Sequence, residues 1–391
     1  MVLIMINNVK QYIMIFLAKF INILLCIYWI FPIRNRQICF YAHKNKYNCN
    51  PKYIYEYIKN NYNENLSFIW MGNAIDNTDC YDTKFARYIS LKQIYYYLTS
   101  RIIISNVNFP AWIPFRKEQI LINTWHGGGA YKKVGLIKNN FKNKYILFCL
   151  KKMGKRTDFF VSSCKMFTDV MSESCFADYN KFLPYGMPRN DILFFCNTGK
   201  NEIKNKIGID NTLSIILYAP TFRDNLTRSC NDNLDFDSVI TAAEKKFNRK
   251  FIFLVRWHSF TGTKNIDSVN ICKDVSSYPD MQELLYSADM LITDYSSSVW
   301  DFSFAFKPGF LFTPDIHNYM DERNFYTPVD NWPYPYALTN EQLCENILQY
   351  NEEESMKKIR RHHEELGSYE NGDARKKMSA LIIGIINAGH N

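Results

Sequence analysis

Short apolar runs alternate with helical stretches along most of this chain, and the alternation starts twice. Gln37–Tyr41 (QICFY), Ser67–Met71 (SFIWM), Arg101–Ser105 (RIIIS) and Ile120–Thr124 (ILINT) read as strands. Between them, Asn50–Asn61 reads as a helix with Pro51 in its first turn, and Phe85–Ser100 carries a helical period. The pattern resumes with strands at Leu213–Tyr218, Phe251–Val255, Ser268–Cys272, Met290–Thr293 and Gly309–Phe312, and helices at Asp235–Phe247 and Met281–Ala288. Apolar strands separated by helices are covered on both faces. The expected fold class is therefore α/β, with two Rossmann-like domains built on parallel sheets. A length of 391 residues suits two domains of roughly 100–200 residues each. The apolar-poor stretch Asn197–Thr212 reads as the boundary, giving domains at 37–200 and 201–391. Residues Asn351–Asn391 read as charged helix, with Lys357–His363 in solvent.

The segment before residue 37 is of another kind. Ile13–Phe31 is mostly apolar and about as long as a bilayer-spanning helix. Lys19 and Asn22 interrupt it, and Arg34 and Arg36 follow it. Residues 1–36 are expected to form a membrane-associating segment, lying in the plane of an anionic surface rather than crossing it. A spanning helix and a buried first helix are the alternatives. The net charge of +9 suits anionic lipid, nucleotide or nucleic acid, but no Arg/Gly-rich run or basic helix of nucleic-acid type is present. The 11 cysteines are irregularly spaced, without a CxxC pair, which argues against a disulfide framework and against zinc.

Open parallel sheets bind ligands beyond the carboxyl ends of their strands, and the polar motifs of this chain sit there. In Leu284–Phe312 a strand ends in the turn Asp294–Ser298, and a helix follows whose first turn holds three serines. Hydroxyls, backbone N–H groups and the helix dipole at Ser296 and Ser297 make an anion site, though Asp294 and the serines also suit plain helix capping. In Asn123–Gly135 (NTWHGGGAYKKVG), His126 follows a strand and suits general acid–base work. Gly127 and Gly128 allow close backbone approach to an anion, and Lys132 adds charge. Tyr185–Leu193 (YGMPRNDIL) offers Arg189 and Asp191 in a turn that either binds substrate or links domains. Tyr218–Asp224 (YAPTFRD) offers Thr221 and Arg223, and Val255–Ser259 (VRWHS) offers Arg256 and His258, for phosphate. Asp280 and Glu283 suit a ribose or base edge, or a capping box, which their spacing favours. His43, His317 and His390 have no supporting context.

Together these blocks resemble the CDP-glycerol glycerophosphotransferase family, the teichoic-acid primases and polymerases. The resemblance runs from about Gln37 to Tyr319 and is carried by TWHG (Thr124–Gly127), PRND (Pro188–Asp191), YAPTFR (Tyr218–Arg223), RWH (Arg256–His258) and DMQELLYSADMLITDYSS (Asp280–Ser297). It implies a GT-B-like fold of two Rossmann-like domains. It further implies a bacterial enzyme, peripheral on the cytoplasmic membrane face, that moves glycerol phosphate from CDP-glycerol to a hydroxyl acceptor and releases CMP. His126 and His258 would be its catalytic histidines. Ser296, Ser297, Arg256 and Arg223 would contact the donor phosphates, and Gly127, Gly128, Lys132, Arg189 and Asp191 would line the acceptor site. No metal and no tightly bound cofactor are expected, and CDP-glycerol is the donor substrate. The acceptor would be lipid-linked or a cell-surface glycan, in teichoic-acid-like or capsular polymer synthesis. Self-association into a homo-oligomer is left open. The chain departs from the family where HGGGAYKK replaces the frequent HGTPLK and where Ser259 replaces a frequent proline. The competing readings are a CDP-ribitol phosphotransferase, a GT-B glycosyltransferase with a nucleotide-sugar donor, and a non-catalytic membrane scaffold.

Overall fold

The computed structural model describes residues 2–63, 65–72, 83–87, 90–133, 143–195, 199–221, 234–257, 271–316, 319 and 325–388. His258, Arg223, Ser259, His317 and His390 lie outside the described residues, as do Asn197 and Ser268–Asn270. The chain forms two compact units. The first holds Met1–His126, Val134–Asp191 and Tyr369–Asn391, and the second holds Gly127–Lys133 and Ile192–Ser368.

The first unit is built on seven parallel strands. They are β1 (Arg34–Tyr41), β2 (Ser67–Met71), β3 (Thr83–Ala86), β4 (Ser100–Ser105), β5 (Ile120–Asn123), β6 (Phe159–Val161) and β7 (Phe182–Leu183). Their order is β3-β2-β1-β4-β5-β6-β7. Ile69, Cys39, Ile103 and Leu121 lie side by side on the central strands, and they and Ile38 and Ile102 in the next row are wholly buried, as both-face coverage by helices requires. The second unit has six parallel strands: β8 (Ser214–Tyr218), β9 (Phe251–Val255), β10 (Cys272–Asp274), β11 (Met290–Thr293), β12 (Gly309–Phe312) and β13 (Tyr336–Ala337). Their order is β10-β9-β8-β11-β12-β13. Both are doubly wound sheets, and each reverses direction next to its first strand, at β1/β4 and at β8/β11. That reversal is where such sheets hold ligands.

The unit boundaries differ from those read in the sequence. The polar stretch after residue 197 is no linker. Lys200–Ile207 is a helix of the second unit, closed by Gly208 at φ 72°, and the change of unit falls at Asp191/Ile192. The C-terminal helix Ala374–Ala388 belongs to the first unit rather than the second. Its anchor is Asp191, whose buried carboxylate accepts hydrogen bonds from Ala374 N (3.1 Å), Arg375 N (2.8 Å) and Arg375 Nε (3.2 Å). A carboxylate on the first free N–H groups of a helix is a capping arrangement favoured by the dipole. Phe85, expected in a helix, lies in β3, and the helix that follows is Leu91–Thr99.

The helix Glu352–Leu366 carries the run expected in solvent, yet its two histidines face inward. His362 Nδ1 donates to the Asn331 carbonyl (2.9 Å), so its Nε2 accepts from the Tyr131 hydroxyl (2.8 Å). His363 Nε2 lies 2.6 Å from Ser303 Oγ, and its ring stacks on Phe304 at 4.3 Å. The alternation of charge hid this, because neighbours on a helix point in different directions. Burial pushes the His362 pKa down to about 4 and that of His363 to about 3. Their stabilising effect is complete above the unfolded value near 6.5 and is lost as pH falls, since the unfolded chain takes up protons that the folded one resists. Urea midpoints should drop between about pH 7.5 and about pH 5.5, with a slope of up to about 1.4 kcal/mol per pH unit for each ring. A midpoint flat across that range would mean the rings are protonated in place.

The N-terminal helix Val2–Leu25 and the 3-10 turn Cys26–Ile30 lie along the first unit. Gln11 Oε1 accepts from Lys144 N (2.8 Å), Asn22 Nδ2 donates to Trp112 O (3.2 Å), and Trp29 Nε1 donates to Pro114 O (2.9 Å). Outward, Phe16, Ile23, Ile27 and Ile30 are each exposed by two thirds or more.

Candidate active site

In the first unit the loops after the two switch strands meet at His126. The chain leaves β5 through Thr124 and Trp125. Trp125 has φ 52°, a left-handed conformation that costs a residue with a β-carbon about 1–2 kcal/mol. That turn delivers the His126 ring to the loop after β4. His126 Nδ1 lies 2.8 Å from the Asn106 carbonyl. A carbonyl only accepts, so Nδ1 carries the proton and Nε2 keeps a free lone pair. Asn106 Oδ1 accepts in turn from the backbone N–H of His43 in the loop after β1 (2.9 Å). The His43 ring lies parallel to that of His126, with centroids 6.2 Å apart. The loss of water around His126 pushes its pKa down to about 4. The Asn106 carbonyl opposes that shift, and Arg189 and His43 add to it. His126 is exposed as a residue, which moderates the displacement, but its direction leaves a neutral imidazole at pH 7.

Two side chains hold this loop from behind. Asn50, fully buried, donates to Thr124 O (3.0 Å) and Trp125 O (3.1 Å) and accepts from Arg189 N (3.0 Å). Arg189 Nη1 donates to His126 O (2.8 Å). Arg189 and Asp191, expected to touch the acceptor, are both buried. Arg189 braces His126, and Asp191 caps the C-terminal helix. Both side chains make hydrogen bonds within the fold, to the His126 carbonyl and to the start of the C-terminal helix.

In the second unit the switch point has the same design. Asp294, in the loop after β11, accepts from Thr221 N (3.0 Å) and Thr221 Oγ1 (3.0 Å), in the loop after β8. In each unit, therefore, an Asn or Asp after one switch strand receives a backbone N–H from the loop after the other. Asp294 is buried and tied to Thr221, so it shapes the loop rather than meeting a phosphate. Beyond it, Ser296 and Ser297 are part-exposed, and Ser296 Oγ accepts from Ser298 N at the start of the helix Ser298–Ser303 (3.2 Å). Gly127 runs beside this turn: a β-carbon there would stand 3.5 Å from Ser297 Oγ. Gly128 is buried. Gly129, at φ 70°, seats its backbone on Trp300, where a β-carbon would come within 2.9 Å of the ring. Lys132 Nζ lies 5.4 Å above the Tyr319 ring.

Arg256 follows β9 and is half-buried. Burial lowers its pKa, against the pull of Asp280 and Tyr278. Its Nη1 is buried without a hydrogen-bond acceptor among the described residues. Asp280 accepts from Gln282 N (2.9 Å) and caps the helix Met281–Ser287, as its spacing favoured. Glu283 receives the Tyr278 hydroxyl. Both carboxylates thus have local work, which leaves less for a ribose. Sequence reasoning passed over Asn50, Asn106 and His43. Asn50 reads there as the start of a helix before Pro51, and no local spacing connects it to His126.

Two doubly wound parallel sheets, each with polar loops gathered at its switch point, give the chain a GT-B-like fold class. A family model described as CDP-Glycerol:Poly(glycerophosphate) glycerophosphotransferase matches residues 23–384. The chain belongs to that family. It is 28% identical over 396 residues to a teichoic acid poly(glycerol phosphate) polymerase of Bacillus spizizenii, covering 94% of this chain and 97% of that protein. It is 30% identical over 290 residues to a teichoic acid glycerol-phosphate primase of Bacillus subtilis, covering 71% and 73%. The solved structure of the wall teichoic acid polymerase TagF superposes with a TM-score of 0.80 at 25% identity, covering all of both chains.

Proposed function

We propose that this protein transfers glycerol phosphate from CDP-glycerol to a hydroxyl of a lipid-linked or cell-surface glycan, releasing CMP, in the synthesis of a teichoic-acid-like or capsular polymer. The observation that carries this reading is the His126 ring, with its Nδ1 proton committed to Asn106 and its Nε2 free. His126 Nε2 takes the proton of the acceptor hydroxyl. The acceptor oxygen bonds to the phosphorus that bears glycerol, and the bond from that phosphorus to the bridging oxygen breaks. CMP leaves with the electron pair, and the proton stays on His126. The part-exposed hydroxyls of Ser296 and Ser297 and the Arg256 guanidinium are the groups proposed to hold the donor pyrophosphate, with Gly127, Gly128 and Lys132 kept on the acceptor side. His258 and Arg223 keep their expected roles as proposals from the family motifs.

The N-terminal helix supports attachment at the cytoplasmic membrane face. It is pinned to the first unit from Gln11 to Trp29 while its other side is apolar and exposed, which suits a helix lying in the interface.

The decisive assay offers CDP-glycerol, CDP-ribitol and nucleotide-sugars to detergent-solubilised protein with a glycolipid acceptor. CMP from CDP-glycerol is the expected product. A nucleoside diphosphate released only from a nucleotide-sugar would overturn the reading. The double substitution Ser296→Ala with Ser297→Ala is expected to weaken CDP-glycerol binding by roughly 10- to 100-fold, from two lost hydrogen bonds to a charged group. Calorimetric titration checks this, and an unchanged Kd would remove the serines from the donor site.

A further inference from the structure

We propose that Asn50 is a positioning residue that sets the tautomer and aim of the His126 ring. The proposal rests on His126 acting as the base. Asn50 is wholly buried, and a carboxamide offers two N–H donors and one oxygen acceptor. Here every part is engaged. Nδ2 reaches Thr124 O at 3.0 Å and Trp125 O at 3.1 Å, with Met187 Sδ at 3.4 Å. Oδ1 receives Arg189 N at 3.0 Å. Arg189 then supplies the donor for the third carbonyl in the row, His126 O, at 2.8 Å. Three successive carbonyls, at 124, 125 and 126, are thus held directly or through Arg189 by one side chain.

What is held there would not hold itself. Trp125 sits at φ 52°, which a tryptophan leaves when released. Its N–H is turned back onto Asn123 Oδ1 (2.9 Å). A peptide rotation at 124–125 or 125–126 would let Trp125 return to an extended conformation and swing the His126 ring away from Asn106 O. The ring would then lose the only acceptor that fixes its proton on Nδ1 among the described residues. In water the two neutral tautomers exchange freely, so part of the population would present an N–H where a lone pair is needed. Asn50 bonds to the backbone of residues 124, 125 and 189, the segment that aims the proposed base and not the residues proposed to hold the donor. Its loss therefore acts on turnover and not on donor binding.

The test is Asn50→Ala in the full-length protein, with three readings: kcat with CDP-glycerol and a glycolipid acceptor, Kd for CDP-glycerol, and the ¹⁵N chemical shifts of the His126 ring in histidine-labelled protein. The expected result is a folded protein with unchanged Kd and kcat lower by about 10²-fold, the scale of a small misplacement of a reacting group. The His126 nitrogens should move from a single Nδ1–H pattern to a tautomer mixture. Unchanged kcat, or a lower kcat with the Nδ1–H pattern intact, would overturn the proposal. If Asn50→Ala fails to fold, Asn50→Ser keeps one donor and the same readings decide. The underlying reading fails separately: an active His126→Ala removes His126 as base, whatever the ring shifts of the Asn50 variants show.

Discussion

Replacing His126 with alanine is expected to lower kcat by about 10²–10⁴-fold, the usual contribution of a positioned general base, with CDP-glycerol affinity unchanged. His126 is an exposed residue and contributes no core packing, so the fold should survive. The expected pH profile has a definite sign. A base works deprotonated, and His126 is held below the ordinary histidine value of about 6.5 by loss of water. The acid limb of kcat/KM should therefore lie below 6.5, with activity falling only as pH drops through the lowered value. Steady-state kinetics from neutral to acid pH measures both effects. Near-normal turnover in His126→Ala would end the catalytic assignment, and a limb at or above 6.5 would place the base elsewhere.

Replacing Trp300 with alanine is expected to cost about 3–5 kcal/mol of stability, the range for a large buried aromatic. Trp300 is fully buried in the second unit. Its ring makes edge-on contacts with Phe304 at 5.1 Å, His363 at 5.5 Å and His362 at 6.1 Å. It is also the floor on which Gly129 rests. The cavity would open between these groups, and the loop from Gly127 to Tyr131 would lose its seat beside Ser297. Guanidinium unfolding gives the number directly. A loss below about 1 kcal/mol would mean that the site collapses without a cavity, as cores sometimes do. Trp300→Phe should recover much of the loss.

The central strands of both sheets were legible because fully buried strands must be apolar throughout. Ile102–Ile104 and Ile215–Leu217 show no alternation to obscure them. The two- and three-residue strands β6, β7 and β13 were not, because so short a run carries no period. At the site, residue types that follow strands could be read: His126, Thr221, Asp294 and the serines. What each does could not. Asp294 and Asp191 resemble ligand contacts in sequence, but their carboxylates are spent on Thr221 and on a helix start 183 residues away. Asn50 and Arg189 are 139 residues apart and act as one brace. Such roles are set by tertiary hydrogen bonds, which leave no local pattern. The histidines at 362 and 363 were lost for the opposite reason, since a charged neighbourhood in the chain is not a charged neighbourhood in space.

The first unit is discontinuous, and this has a consequence for synthesis on the ribosome. Asp191 emerges well before Ala374 and Arg375, which it caps. At about 5–20 residues per second the interval is roughly 10–40 s. Throughout it, the first sheet stands without the helix that closes it, and the Asp191 carboxylate has water where its N–H donors will be. All of the second unit except Gly127–Lys133, which is made earlier, is translated within that interval, so that unit can finish folding first. The usual order, in which the domain made first is completed first, is thereby reversed, and the growing chain carries an open first unit for longer than its position implies.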